Sequence, residues 1–121
     1  MKISKDFEFA AAHRLKLPYD SPCKNFHGHN YKLKVTLHGG MNECGMIMDF
    51  KELKAIVNRE VISKLDHQDL STYFEDGEGG YFNPTAEIMS EWIFHRLFLN
   101  GLSQIYSVTL WETTDSSAEY P

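Results

Sequence analysis

Two histidines one residue apart, His27 and His29, stand at the head of a run with a strict period of two. Tyr31, Leu33, Val35 and Leu37 are apolar, while Asn30, Lys32, Lys34, Thr36 and His38 between them are polar. Such a run buries one side only as a strand of a one-sided sheet. The spacing therefore predicts a strand from about His29 to Gly39, with His38 on its wet face. Side chains at i and i+2 of an extended chain share a face, which brings the two imidazoles within reach of one cation. Upstream, Ile3, Phe7, Phe9 and Ala11 alternate in the same way and lead to His13. That run predicts a first strand over residues 2 to 13, paired with the next and delivering a third imidazole. Three neutral imidazoles suit zinc and leave a fourth position open for water or substrate. Gly28, between two candidate ligands, is expected to permit a bend or bulge there. The plainer alternative is three imidazoles that only hydrogen-bond within a core.

A loop is expected from Arg14 to Phe26, punctuated by Pro18, Asp20, Ser21 and Pro22. It carries Cys23, four residues before His27. A thiolate there is either a fourth ligand or, beside the metal and not on it, a base at neutral pH.

Asp49 is a candidate N-cap for an amphipathic helix over about 50 to 64, with Phe50, Leu53, Ile56, Val57 and Val61 at helical spacing. Leu65-Asp66-His67-Gln68-Asp69-Leu70 then sets a carboxylate beside a histidine. The polar, Gly-rich stretch from Ser71 to Asn83 reads as a loop. Asn83 as N-cap and Pro84 at the first helical position predict a second helix, with Ile88, Met89, Trp92, Ile93 and Leu97 as its buried stripe and Gly101 as its stop. A third strand is expected over about 104 to 113, and a short fourth near Ser117. The even positions Tyr106, Val108, Leu110 and Glu112 would put a carboxylate on a largely apolar side, which is costly unless donors meet it there. Glu112 is thus a candidate ligand-binding group, unless strand twist or a basic neighbour accounts for it.

The predicted order, ββααββ, specifies an α+β fold: a four-stranded antiparallel sheet with both helices on one face. Both sheet edges are left uncovered, which favours association into a larger ring or barrel. With 121 residues, 1–121 is expected to be a single domain. A net charge of −5 and no basic run give little support to nucleic-acid binding, and small molecules are the expected partners. No apolar run has the length of a signal segment or a membrane span, so a cytoplasmic location with Cys23 and Cys44 as free thiols is expected.

Six segments together resemble the 6-pyruvoyltetrahydropterin synthase family over essentially the whole chain, and within it the bacterial 6-carboxytetrahydropterin synthases of queuosine biosynthesis. They are Phe9-Ala10-Ala11-Ala12-His13, Cys23-x-x-x-His27-Gly28-His29-x-Tyr31, Met48-Asp49-Phe50, Leu65-Asp66-His67, Asn83-Pro84-Thr85-x-Glu87 and Trp111-Glu112-Thr113. The resemblance implies the tunnelling fold, zinc on His13, His27 and His29, and a homo-oligomer, a hexamer-type stack of rings, with active sites at subunit interfaces. It implies a carbon–oxygen lyase acting on 7,8-dihydroneopterin triphosphate. The carboxy branch releases acetaldehyde and triphosphate; the pyruvoyl branch eliminates triphosphate and keeps the side-chain carbons. Cys23 would be the base and His67 a proton relay oriented by Asp66, although Asp69 reaches as far in sequence. Glu112 would accept hydrogen bonds from the pterin 2-amino and N3–H groups. Thr85 would add a ring contact, and Glu87 is equally explained by the helix dipole. Arg14, Lys16, Lys24 and Lys51 are candidates for the triphosphate. Competing readings are aldol cleavage of dihydroneopterin and a non-catalytic pterin- or metal-binding module.

Overall fold

The two alternating runs fold as β1 (Lys2–His13) and β2 (His27–His38). In the computed structural model, which describes residues 1–76 and 83–121, they pair antiparallel without a register shift from Lys2 opposite His38 to His13 opposite His27. β2 thus begins two residues before the expected start, because it stays paired with β1 to the end of that strand. The unbroken ladder also removes the bend expected at Gly28. Its φ is not in the left-handed region, and an added Cβ would sit 3.7 Å from the Ala11 carbonyl, an ordinary contact.

β3 (Ile105–Thr113) and β4 (Ser116–Tyr120) complete a sheet of order β1-β2-β3-β4, antiparallel throughout. Phe7, Phe9, Leu33, Val35, Leu37, Val108 and Leu110 form its buried side, and each fully buried branched side chain contributes about 1.5–3 kcal/mol. Tyr106 departs from the expected alternation. Thr36 lies opposite Ser107 and Leu37 opposite Ile105, so Tyr106 is the extra residue of a bulge. Ile105 takes the inner position, and Tyr106 turns outward beneath Lys2, whose Nζ is 3.6 Å from the ring centroid.

The helices cover the buried side. Asp49 Oδ1 accepts from Lys51 N at 2.8 Å and starts α1 (Phe50–Val57). The helix continues through a π-helical stretch, Asn58–Ile62, into a last turn, α2 (Ser63–Leu65). The buried residues Leu53, Val57, Val61 and Leu65 are spaced by four. In a pure α-helix such a row drifts by about 40° per step, and the wider π turns keep it on the sheet. Phe50, expected in the buried stripe, is 49% exposed and borders Ser4, Asp6 and Lys34 instead.

Ser71 to Asp76, expected as loop, belongs to a further helix, α3 (Leu70–Asp76). Leu70 and Phe74, four apart, are both buried, and Asp69 Oδ1 accepts from Ser71 N at 3.0 Å and Thr72 N at 3.3 Å. The rest of the expected loop, 77–82, lies outside the described residues. The next helix, α4 (Ala86–Leu99), is capped by Thr85, whose Oγ1 accepts from Ile88 N at 3.2 Å. Asn83 and Pro84 therefore precede the helix rather than starting it, because both are engaged elsewhere. The Asn83 side chain binds the backbone of Lys16, and the Pro84 carbonyl faces His13. Met89, Ile93 and Leu97 form the buried stripe of α4, and Gly101, at φ +119°, ends it.

The β1 edge is not bare along its whole length. Ala10 N donates to Asp66 Oδ1 at 3.0 Å, His67 N to Ala10 O at 2.6 Å and Ala12 N to Gln68 O at 3.1 Å. Residues 66–69 thus run beside the end of β1, with His67 held at φ +59°. Among the described residues, no helix is long and apolar enough to cross a membrane.

Candidate metal centre and active site

The ladder places His13 directly opposite His27, and His29 opposite Ala11, so these three histidines share the helix-covered side. Their ligand nitrogens lie within 4.8 Å of one another. Ring centroids are 4.7 to 5.1 Å apart and the rings meet edge to face, so they converge without stacking. His13 is fully buried; His27 and His29 are half-buried.

Backbone carbonyls fix two of the tautomers. Nδ1–H of His13 donates to Pro84 O at 2.8 Å, and Nδ1–H of His27 donates to Asn25 O at 2.6 Å. In those tautomers both Nε2 atoms present lone pairs, yet they stand 3.1 Å apart. Two acceptors at that distance repel unless a cation lies between them. The separation is close to the ~3.3 Å tetrahedral edge that follows from metal–nitrogen bonds of about 2.0–2.1 Å. His29 supplies the third position. Its Nε2 is the buried side-chain polar atom that lacks a hydrogen-bond partner among the described residues. Glu112 Oε1 comes within 3.2 Å of that nitrogen but outside hydrogen-bonding angles. Burial lowers the pKa of both His13 and His29, so both stay neutral and available as ligands, although Glu112 works in the opposite direction. The three residues fit a divalent metal ion.

Tyr31 forms the floor of this cluster. It is buried, its ring stacks on Phe9 at 4.9 Å, and its hydroxyl lies 3.4 Å from His13 Nδ1. Burial, then the charge of Glu112, pushes its phenol pKa up and keeps it neutral.

Cys23 is half-buried in a 3₁₀ turn, Pro22–Lys24, capped by Ser21 Oγ, which accepts from Cys23 N at 3.2 Å. Its carbonyl accepts from Leu15 N at 2.8 Å, which ties the turn to the chain just beyond His13. Cys44 is exposed, near an Asn42-centred turn. His67 is 80% exposed, with Nδ1 3.0 Å from Asp66 Oδ1, and it lines an open groove of about 470 Å³ together with Ala10, Phe26, Asn30 and Asp69. The same Asp66 oxygen accepts from Ala10 N, and that bond, with His67 as the smaller influence, holds the Asp66 carboxyl below the usual range. Asp69 is occupied at the start of α3. Of the four basic candidates, Arg14, Lys16 and Lys24 cluster in the segment between β1 and β2, whereas Lys51 lies on α1; all are exposed.

The profile described as 6-pyruvoyl tetrahydropterin synthase matches residues 2–121. The chain belongs to that family. Among curated members, the chain is 36% identical to 6-carboxy-5,6,7,8-tetrahydropterin synthase of Haemophilus influenzae, over 98% of this chain and 97% of that one. It is 35% identical to the protein of the same name from Synechocystis, over 98% and 91%. It is also 34% identical to 6-pyruvoyl tetrahydrobiopterin synthase of Dictyostelium discoideum, over 93% and 89%. Among solved structures, the 6-pyruvoyl tetrahydropterin synthase of Caenorhabditis elegans superposes with a TM-score of 0.85 at 29% identity, covering 99% of this chain and 94% of that one. The sheet-and-helix architecture described above is therefore the tunnelling fold of this synthase family.

Three features of the site had no signature in the sequence: the carbonyls of Pro84 and Asn25 behind the imidazoles, and the approach of Glu112 to His29. A carbonyl is present at every residue, so no side-chain pattern marks it. The pairing of strands that are neighbours in space but distant in sequence sets the third contact.

Proposed function

We propose that the chain is a zinc-dependent 6-carboxy-5,6,7,8-tetrahydropterin synthase, a single synthase domain over residues 1–121. On this reading it is a lyase converting 7,8-dihydroneopterin triphosphate and water to 6-carboxytetrahydropterin, acetaldehyde and triphosphate, in queuosine biosynthesis. The observation that carries the reading is the convergence of His13, His27 and His29, two of them with Nε2 lone pairs face to face, in a chain whose relatives in Haemophilus and Synechocystis bear that name.

When bound by His13, His27 and His29, zinc supplies Lewis acidity toward the hydroxyls of the substrate side chain. Cys23 is the base that takes the carbon-bound proton. His67, steadied by Asp66, moves the second proton from the edge of the groove. Glu112 accepts from the planar pair of pterin donors, N3–H and the 2-amino group, which also accounts for a carboxylate on the buried side of β3. The Thr85 hydroxyl uses a lone pair to cap α4 and keeps its proton to donate to the ring. Arg14, Lys16 and Lys24 face the triphosphate from the loop that carries Cys23. The exposure of His67 fits a homo-oligomer, a hexamer-type stack of rings, with active sites shared between neighbouring copies, located in the cytoplasm.

Incubation of the zinc-loaded chain with 7,8-dihydroneopterin triphosphate, with acetaldehyde detection and product mass spectrometry, tests the reading. Acetaldehyde and the carboxy product are expected. The Dictyostelium relative and the Caenorhabditis structure favour a second reading, elimination of triphosphate to a 6-pyruvoyl product, which the same mass measurement identifies. Absence of both products from protein that retains stoichiometric zinc would leave a non-catalytic pterin- or metal-binding module.

A further inference from the structure

The chain leaving β1 past His13 remains fastened although its strand has ended. On one side, side chains take the place of a neighbouring strand. Arg14 N donates to Ser71 Oγ at 2.9 Å, and Ser71 Oγ–H donates back to Arg14 O at 3.0 Å. Lys16 N donates to Asn83 Oδ1 at 2.9 Å, and Asn83 Nδ2–H donates to Lys16 O at 2.8 Å. Both backbone groups of two alternate residues are thus bound by one side chain each, which is the spacing at which a strand partner would bind them. Leu15, between them, turns its N–H the other way and donates to Cys23 O at 2.8 Å. The turn that presents Cys23 therefore hangs from a segment held straight by Ser71 and Asn83.

We infer that Ser71 and Asn83 are positioning residues for Cys23, acting through the extended backbone of Arg14, Leu15 and Lys16. The inference rests on the reading of Cys23 as the base. Neither side chain touches the imidazole cluster in the contacts described, and the adjoining fixtures persist without them. α3 keeps its Asp69 cap and α4 its Thr85 cap, while His13 keeps Pro84 O, a backbone group that substitution of Asn83 does not remove.

The test compares Ser71→Ala, Asn83→Ala, the double variant and Asn83→Asp, which keeps an acceptor for Lys16 N and loses the donor to Lys16 O. Iodoacetamide alkylation is followed by peptide mass spectrometry at about pH 9.5, where ordinary thiols are ionised and the rate reads access. Cys44 serves as the internal reference. In the double variant the Cys23 rate is expected to rise several-fold while that of Cys44 is unchanged. Zinc stays at one per chain, and kcat falls roughly 10- to 100-fold with KM little changed, as small misplacement of a reacting group produces. Asn83→Asp should recover part of both effects. An unchanged Cys23 alkylation rate in the double variant overturns the inference, as does loss of zinc in step with loss of turnover. Should Asn83→Ala fail to fold, Ser71→Ala and Asn83→Asp carry the same comparison. Cys23→Ala in parallel separates the two ideas: if it turns over like the unmodified chain, the base assignment fails whatever the alkylation rates show.

Discussion

The Glu112 carboxylate stops 3.2 Å from His29 Nε2, at an angle that makes no hydrogen bond. One negative charge thus faces the imidazole cluster with its acceptor capacity still available to a ligand. Hydrogen bonds to a charged acceptor are worth about 1.5–3 kcal/mol, so Glu112→Gln is expected to lower kcat/KM by roughly tenfold or more, chiefly through KM. Steady-state kinetics with zinc content measured in the same samples checks this. A variant that loses zinc but binds substrate normally would place Glu112 on the metal side of the site.

His27→Ala and His29→Ala should each reduce zinc retained after dialysis to well below one per chain while the far-ultraviolet circular dichroism stays that of the unmodified protein. Both residues are half-buried at the end of a ladder whose other pairs are untouched, so the fold does not depend on them. Elemental analysis of protein purified without added metal decides the point.

Gly28→Ala should be tolerated. The backbone there is ordinary extended strand, and the nearest atom to an added Cβ is 3.7 Å away. A stability change within about 1 kcal/mol is expected from chemical denaturation. A much larger loss would mean that the glycine is required for something other than its conformation.

Thr85→Ala removes the acceptor for Ile88 N and should cost about 1 kcal/mol of stability, in the ordinary range for an N-cap. Asn83→Ala should leave the helix start intact, since Asn83 binds Lys16. Amide hydrogen exchange at Ile88, faster in Thr85→Ala and unchanged in Asn83→Ala, tests which residue is the cap.

Metal-free protein should lose stability as the pH falls below about 6.5, the ordinary histidine value. Burial lowers the folded-state pKa of His13 and His29, so between the folded and unfolded values the unfolded chain binds more protons. Stability from these groups is complete above the unfolded value and declines as the pH drops toward the folded one. Urea titrations of apo protein between about pH 7.5 and 5 should show this slope, and His29→Ala should make it shallower.

Much of the sheet was legible because burial on one side leaves a period of two in the residues, as from Ile3 to His13 and from Tyr31 to Leu37. The same periodicity, continued blindly, misplaced Tyr106. A single extra residue reverses the facing of everything before it, and nothing in Ile105-Tyr106-Ser107 marks where that residue falls. The histidine cluster was visible as spacing plus strand pairing. α3 was hidden by the polar residues that follow Leu70, although Asp69 and the Leu70–Phe74 spacing were its signals. Asn83 resembled a cap because the residue types that cap helices are those that bind any nearby backbone, and here the nearest was Lys16.

The segment at 66–69 has one more effect, on how this sheet can meet another copy of itself. Ala10 and Ala12 have already given their outward backbone groups to Asp66, His67 and Gln68. A foreign strand adding to that rim must dock along the first two-thirds of β1, before Ala10. Traced across β3 and β2, Ser117 to Tyr120 of β4 stand level with Glu8 to Lys5 of β1, so the free stretch of rim is the one that a second copy's β4 would meet, with His67 standing just beyond its end.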